Sequence, residues 1–89
     1  MKIDKNATIV DVRTPGEFKE KHFPGSINIP LDQVSKRISE FRDFSKPLIL
    51  YCKSGNRSGM AVAMLKQHGI NDAVNGGGLS DMLASKTEE

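Results

Sequence analysis

The sequence predicts a parallel α/β domain, because short apolar runs alternate along the chain with segments that have helical spacing. The run at residues 48–51 is apolar at every position, which is typical of a central strand covered on both faces. At 89 residues the chain has the length of one domain with a small core. We therefore expect a single domain over residues 1–89.

The first elements carry clear start signals. Residues 9–12 form a predicted strand, and the segment after it begins a helix. Thr14 suits the N-cap of this helix and Pro15 its first position, while Glu17 can close a capping box with Thr14. A short second strand is predicted at residues 26–29.

The remaining elements continue the alternation of strand and helix. Leu31, Val34 and Ile38 fall on one face of the next helix, and Gly69 is a natural stop for the longest one. The predicted elements are, in order, a helix opened by Pro30, a strand at 48–52, a helix at about 58–68, a strand at 73–74, a tight loop of three glycines at 76–78 and a closing helix at 79–84.

The composition excludes several classes of partner. The formal net charge is only +2 and no dense basic run occurs, so we expect no binding to nucleic acid or to membranes. No apolar stretch is long enough to span a bilayer, and the first residues lack the apolar core of a signal peptide. We expect a cytoplasmic monomer, or a periplasmic protein if a leader was removed from this chain.

Cys52 is the only cysteine of the chain. It therefore cannot form an internal disulfide, contribute to a multi-cysteine zinc site or use a resolving cysteine in thioredoxin-type redox chemistry. We expect neither a metal nor a cofactor.

Cys52 lies between a predicted strand and a predicted helix, in a polar loop that contains glycine. In this geometry the loop N–H groups can point at the sulfur, and the helix N-terminus adds unsatisfied N–H groups and a positive dipole end. Both effects favour a thiolate and stabilise a bound anion, and Lys53 and Arg57 add positive charge. The alternative is a buried structural cysteine, but ligand sites favour the carboxyl ends of parallel strands.

Other polar residues near this edge of the sheet have mainly structural interpretations. Asp11 and Arg13 point to the same side of the first strand, where an ion pair between them would brace the loops. His22 is a candidate acid or base, but beside a Pro-Gly turn it is more typical of a packing and hydrogen-bonding residue. The glycines at 76–78 lack the residues that follow in a phosphate-binding loop.

Three segments resemble signatures of the rhodanese family, in the same order and spacing. Residues 51–58, Tyr-Cys-Lys-Ser-Gly-Asn-Arg-Ser, resemble the active-site loop. The carboxyl-terminal signature, whose last position is usually Trp, is matched by Gly77-Gly78-Leu79 and Met82. The amino-terminal signature is matched by Asp11-Val12-Arg13, Glu17-Phe18, His22-Phe23, Gly25-Ser26 and Asn28-Ile29-Pro30. Within this family, the three segments most resemble those of compact single-domain bacterial forms of the phage-shock protein E kind.

The resemblance implies a three-layer α/β/α fold with a central parallel sheet. Many rhodanese domains begin with an extra strand and helix, but here only about eight residues precede the first strand. We therefore expect about four strands, in the spatial order 73–74, 48–52, 9–12, 26–29.

The resemblance also implies a sulfurtransferase, in which Cys52 takes the outer sulfur of thiosulfate or a similar donor. The persulfide then passes its sulfur to cyanide or a thiol acceptor. In this interpretation Arg57 binds the anionic donor, and in some two-domain relatives a basic residue lies where Glu17 falls here. Asp11, Arg13 and His22 would support the site. The implied substrate-binding cradle consists of Lys53, Ser54, Gly55, Asn56, Arg57 and Ser58.

Other functions share this fold or this chemistry. A phosphatase or arsenate reductase has a loop one residue longer, whereas here four residues separate Cys52 from Arg57 and the position required for the Arg is Ser58. The shorter loop suits a sulfur atom better than a tetrahedral phosphoryl group. A persulfide carrier that delivers sulfur to a protein partner differs only in the acceptor. A non-catalytic binding module would usually lack the cysteine.

Overall fold

The computed structural model describes residues 3–85. Four strands within this range form one sheet. The strands are β1 (Thr8–Asp11), β2 (Ile27–Asn28), β3 (Leu48–Cys52) and β4 (Ala73–Gly78), in the spatial order β2-β1-β3-β4. All three neighbouring pairs are parallel. The predicted fold class, number of strands and strand order are therefore confirmed.

Helices connect the strands along the chain. The helices are α1 (Pro15–Glu20), α2 (Leu31–Val34), α3 (Ile38–Asp43), α4 (Asn56–Gln67) and α5 (Leu79–Ser85). The helix expected after Pro30 is divided, because a 3₁₀ turn at Ser35–Arg37 separates α2 from α3. No helix within residues 3–85 is long and apolar enough to cross a membrane.

The start of α1 follows the local sequence. The Thr14 side chain accepts a hydrogen bond from the N–H of Glu17, and Glu17 Oε1 accepts one from the N–H of Thr14. This capping box satisfies N–H groups that the first helical turn would otherwise leave without partners. Glu17 is thereby held at the carboxyl end of β1, facing the neighbouring loop.

Two predicted boundaries near the cysteine were wrong. Residues 76–78 are not a separate loop, because β4 continues through them and pairs Gly77 with Tyr51 and Gly78 with Cys52. Helix α4 begins at Asn56 rather than near residue 58, because Gly55 takes the N-cap with a φ of +97°. Arg57 consequently lies in the first turn of α4. The predicted bounds of β1 and β2 also differ slightly, since β1 begins one residue earlier and β2 has two residues.

The sheet is covered by side chains on both faces. One face carries Val10, Leu48 and Leu50, which pack against residues of α2, α3 and α4. The opposite face carries Ile49 and Tyr51, whose cluster includes Met82 of α5. A fully buried aliphatic or aromatic side chain contributes about 1.5–3 kcal/mol. Because every residue of β3 is buried, its carboxyl end and Cys52 are held in a fixed position.

Candidate active site

Cys52 ends the central strand β3 and its side chain is almost fully buried, with 1% exposure. The chain then turns back, so that two backbone N–H groups point at the sulfur. Gly55 donates to Cys52 Sγ at 3.0 Å and Ser58 donates at 3.4 Å. The N-terminus of α4 therefore faces the sulfur, where its dipole favours negative charge.

The loop 52–58 fits closely against β4 because β4 presents glycines to it. A Cβ atom on Gly78 would overlap the carbonyl oxygen of Lys53, and one on Gly55 would lie 3.4 Å from the Cα atom of Gly77. Gly76 forms a bulge, since Leu50 pairs with Asn75 and Tyr51 already pairs with Gly77. Gly77 and Gly78 therefore provide a packing surface for the cysteine loop, whereas a Cβ atom on Gly76 would meet Met82 and Ile49.

Ser58 is completely buried and links the sulfur to β4. Its Oγ lies 3.5 Å from Cys52 Sγ and 2.6 Å from Asn75 Oδ1, to which it donates. Ser58 is one of the predicted cradle residues, whereas no local pattern in the sequence indicates Asn75. The only signal that could have found Asn75 is topological, because the adjacent strands β3 and β4 end at the same edge of the sheet.

The surroundings of Cys52 change the acidity of its thiol. Burial, the largest single influence, raises the pKa, but the hydrogen bond that the Ser58 hydroxyl can turn to make with the thiolate, together with those from the N–H groups of Ser58, Ser54 and Gly55, lowers it. Together these hydrogen bonds outweigh burial, so the pKa of Cys52 lies below the ordinary value for a thiol. The site thus favours the nucleophilic form of the sulfur.

Arg57, the residue predicted to bind an anionic donor, holds an internal carboxylate in this structure. Its Nη1 and Nη2 atoms donate to Oε1 and Oε2 of Glu17 at 2.8 and 3.2 Å. Both side chains are about one-third exposed. The hydrogen bond from Arg57, followed by that from the Thr14 N–H, lowers the pKa of Glu17 to about 2. The sequence predicts the capping role of Glu17 but not this ion pair.

The other predicted cradle residues differ in accessibility. Lys53, Ser54 and Asn56 are exposed, and Gly55 is partly buried. Lys53 lines a cleft of about 490 Å³ together with Arg13, Glu17 and Lys21, among other residues. This cleft has a mixed charged rim.

Arg57 instead lines a second cleft of about 430 Å³, with the apolar side chains of Val12, Leu31 and Met64. The Glu17–Arg57 ion pair therefore lies between the two clefts, because each partner lines a different one.

Asp11 and Arg13 form a buried ion pair at the carboxyl end of β1. Arg13 Nη2 lies 2.7 Å from Asp11 Oδ2 and also donates to the carbonyl oxygen of Lys21. The guanidinium lies over the Tyr51 ring, 5.7 Å from its centroid. Burial raises the pKa of Tyr51, whose hydroxyl accepts a hydrogen bond from the N–H of Phe23. These contacts brace the strand ends beneath the cysteine loop.

The side chain of His22 contacts Phe18. Its ring stacks on Phe18 with a centroid separation of 3.8 Å, and its Nδ1 lies 2.8 Å from the carbonyl oxygen of Phe18. The ring therefore packs and hydrogen-bonds against Phe18. Within residues 3–85, no group of three or more His, Cys, Asp or Glu side chains could hold a metal ion.

Comparison with known proteins places this site in a family. The model of the rhodanese-like domain matches residues 1–84. Thiosulfate sulfurtransferase PspE of Escherichia coli is 36% identical over 80 residues, which cover 89% of this chain and 77% of that protein. Thiosulfate:glutathione sulfurtransferase of Saccharomyces cerevisiae is 35% identical over an alignment of 96 positions, which covers 93% of this chain and 69% of that protein.

A solved structure gives the same result. The structure of a rhodanese with anions from E. coli superposes with a TM-score of 0.76 and 37% identity, and covers 84% of this chain and 89% of its own. The fold, the buried cysteine at the end of β3 and the sequence matches agree, and the chain belongs to the rhodanese-like domain family.

Proposed function

We propose that this chain is a sulfurtransferase that carries sulfane sulfur on Cys52 as a persulfide. The observation that carries the proposal is the buried Sγ atom, which receives hydrogen bonds from the N–H groups of Gly55 and Ser58. These donors stabilise a negatively charged sulfur without any metal or second cysteine. The names of the two relatives, both of which include thiosulfate, support thiosulfate as a donor.

The proposed reaction has two displacement steps at Cys52. The thiolate attacks the outer sulfur of thiosulfate, the S–S bond of the donor breaks, and sulfite leaves with the bonding electron pair. Cyanide or a thiolate then attacks the outer sulfur of the persulfide. That step regenerates the Cys52 thiolate and yields thiocyanate or a new persulfide. No net oxidant is needed, because the sulfane sulfur keeps its oxidation state throughout the transfer.

The geometry of Arg57 argues against phosphate chemistry. A phosphatase of this fold needs a guanidinium that binds the phosphoryl oxygens above the nucleophilic sulfur. Arg57 is engaged with Glu17 instead, and the next residue, Ser58, offers only a buried hydroxyl 3.5 Å from the sulfur. We therefore expect no Cys52-dependent hydrolysis of aryl phosphates.

Delivery of the sulfur to a protein partner is a second candidate function. Met60, one turn along α4 from Arg57, is 60% exposed, which is unusual for a large apolar side chain. Met64 follows one turn later and lines the apolar cleft. An apolar surface beside the cysteine loop suits a protein acceptor, which would receive sulfur by the same displacement step.

A single-turnover experiment tests these proposals. Incubation with thiosulfate should add one sulfur to the protein, about 32 mass units by mass spectrometry, and cyanide should remove it as thiocyanate. Cys52→Ser should abolish the adduct, and sulfur transfer that persists in this variant contradicts the proposal. A persulfide that forms but is discharged by neither cyanide nor a small thiol favours a protein acceptor. Cys52-dependent phosphate release would instead favour a phosphatase.

A further inference from the structure

Asn75 connects three parts of the cysteine site. Its Nδ2 donates to the carbonyl oxygen of Gly55 at 3.0 Å, while its Oδ1 accepts from the N–H of Gly77 at 2.9 Å. These two contacts fix the orientation of the amide, because a flipped amide would set its NH₂ group against the N–H of Gly77. The atom that faces the Ser58 hydroxyl is therefore the oxygen, at 2.6 Å.

The orientation of Asn75 determines where the Ser58 proton lies. An amide oxygen can only accept, so the hydroxyl must donate its single proton to Asn75. The lone pairs of Ser58 Oγ are then available to Cys52 Sγ, 3.5 Å away. This arrangement suits a neutral thiol, which donates its S–H to the oxygen. It does not suit a thiolate, because the lone pairs would face a negative sulfur.

We propose that Asn75 is a positioning residue that holds the Ser58 hydroxyl towards itself while Cys52 is a neutral thiol and releases it to the sulfur when the sulfur becomes negative. The exchange is a rotation about the Cβ–Oγ bond of Ser58. Ser58 keeps its proton, the thiol proton leaves to solvent, and only the S–H bond is broken. The relevance of this exchange to turnover rests on the proposed function of Cys52, but the exchange itself does not.

Burial explains why a single amide can have this effect. Ser58 is 0% exposed and Cys52 is 1% exposed, so water does not compete freely for the hydroxyl or the sulfur. Asn75 itself is exposed, and its removal lets water approach Ser58 from that side. Water can donate as well as accept, so it does not force the hydroxyl away from the sulfur. Loss of Asn75 should therefore make the thiolate easier to form.

Charged groups around the site must be held constant in any test of this exchange. Arg57 on α4 interacts electrostatically with Cys52, and Lys53 follows Cys52 in the sequence. Asp81 on α5 accepts the N–H of Gly78. The buried ion pair of Asp11 and Arg13 lies on the adjacent strand. Substitution of Asn75 or Ser58 removes none of these charges, so differences between such variants report on the hydrogen bonds.

The experiment is a thermodynamic cycle on the full chain. The pKa of Cys52 is measured from the pH dependence of alkylation by iodoacetamide in wild type, Asn75→Ala, Ser58→Ala and the double variant. In the presence of Ser58, Asn75→Ala should lower the pKa by about half a unit to one unit, the scale of one neutral hydrogen bond. Any effect of Asn75→Ala through loop geometry alone appears in the Ser58→Ala background, so the difference isolates the hydroxyl.

A matched control is Asn28→Ala on the edge strand β2. Asn28 also donates from its amide to backbone carbonyl oxygens, those of Asp11 and Arg13, but it does not touch Ser58. It should leave the thiol pKa unchanged. A pKa shift for Asn75→Ala that is equal in both Ser58 backgrounds, or more positive when Ser58 is present, overturns the inference. Absence of a persulfide in wild type would instead overturn the proposed function and leave this cycle intact.

Discussion

Arg57 and Glu17, forty residues apart in the sequence, form a two-pronged ion pair next to the loop that holds Cys52. The guanidinium that a dianionic donor would use is thereby already neutralised. Each partner also remains accessible, with about one-third of its side chain exposed. An anionic donor that binds Arg57 must therefore displace Glu17. The cost is modest, since an exposed ion pair contributes about 0.2–1 kcal/mol.

Glu17→Gln should raise kcat/KM for thiosulfate by up to about fivefold, because it frees Arg57 and removes a carboxylate that repels the donor. Gln also preserves the capping box with Thr14. Steady-state kinetics with cyanide as acceptor measure the effect. A matched control is Glu40→Gln on α3, which breaks a similar two-pronged pair with Arg37 of the preceding 3₁₀ turn and should leave kcat/KM unchanged. Equal or lower kcat/KM in Glu17→Gln would contradict the prediction.

Arg57→Ala should lower kcat/KM for thiosulfate by about tenfold or less, at or below the lower limit for a charge-assisted hydrogen bond. The loss is small because Glu17 already engages the guanidinium. In the Arg57→Ala background, Glu17→Gln should lose most of its benefit, since the group that it would release is absent. Fully additive effects of the two substitutions on kcat/KM would show that the donor does not bind Arg57 by displacing Glu17.

The same ion pair predicts how stability changes in acid. The hydrogen bond from Arg57 lowers the pKa of Glu17 from 4.5 to about 2 in the folded state. A lowered folded-state pKa stabilises the fold above the unfolded value, and this contribution is lost as the pH falls from about 4.5 towards 2. The melting temperature of wild type should therefore fall more steeply across this interval than that of Glu17→Gln. Parallel curves from thermal unfolding monitored by circular dichroism would refute this.

Local patterns were sufficient to predict the parallel α/β class and the place of Cys52 at the end of a strand, whereas the strand order came from the family resemblance. The apolar run of β3 predicted a buried central strand, and Thr14 with Glu17 predicted the start of α1, since both signals act within a few residues. The position of Cys52 at the carboxyl end of β3 followed from the same reasoning. Such signals depend on backbone periodicity and capping, which the sequence carries directly.

The contacts that tune the site were not predictable from local patterns. Ser58 and Asn75 are 17 residues apart, and their contact forms only because α4 packs beside β4. The Arg57–Glu17 pair joins residues that the sequence assigned to separate tasks. Gly78 was matched to a family signature, but its role as a surface for the Lys53 carbonyl is visible only when β4 lies beside β3. Long-range side-chain pairing is set by tertiary packing.

The lowered pKa of Cys52 gives a direct pH prediction. Burial raises this pKa, but the hydrogen bonds that Ser58, Ser54 and Gly55 can donate to the thiolate lower it by more. The thiol of the folded protein should therefore ionise at a pH below the ordinary thiol pKa of 9.0. Because the thiolate is the reactive form, the alkylation rate should rise with pH and level off after a midpoint below that value. The same protein unfolded in urea is the control and should show the ordinary midpoint. A midpoint at or above the control would refute the prediction.

Gly78→Ala should disturb the cysteine loop more than a methyl group added at any other glycine of β4. Its Cβ would overlap the carbonyl oxygen of Lys53 and lie 3.0 Å from the carbonyl carbon, and neither backbone atom can rotate away as a side chain would. The loop must shift, which moves the Gly55 N–H donor relative to the sulfur. We expect a loss of about 1–3 kcal/mol in the free energy of unfolding.

In the Gly78→Ala variant, the rate of persulfide formation should also fall by about tenfold, the scale of one hydrogen bond to a charged group. Gly16→Ala is the matched control, because a Cβ at Gly16 meets nothing within 4 Å and Gly16 lies within α1, where Ala is favoured over Gly. It should leave the persulfide rate unchanged and the stability equal or slightly higher. Denaturant unfolding and single-turnover mass spectrometry measure both quantities. A Gly78→Ala variant with the persulfide rate of wild type would show that the loop does not need the close approach of Lys53 to β4 for its chemistry.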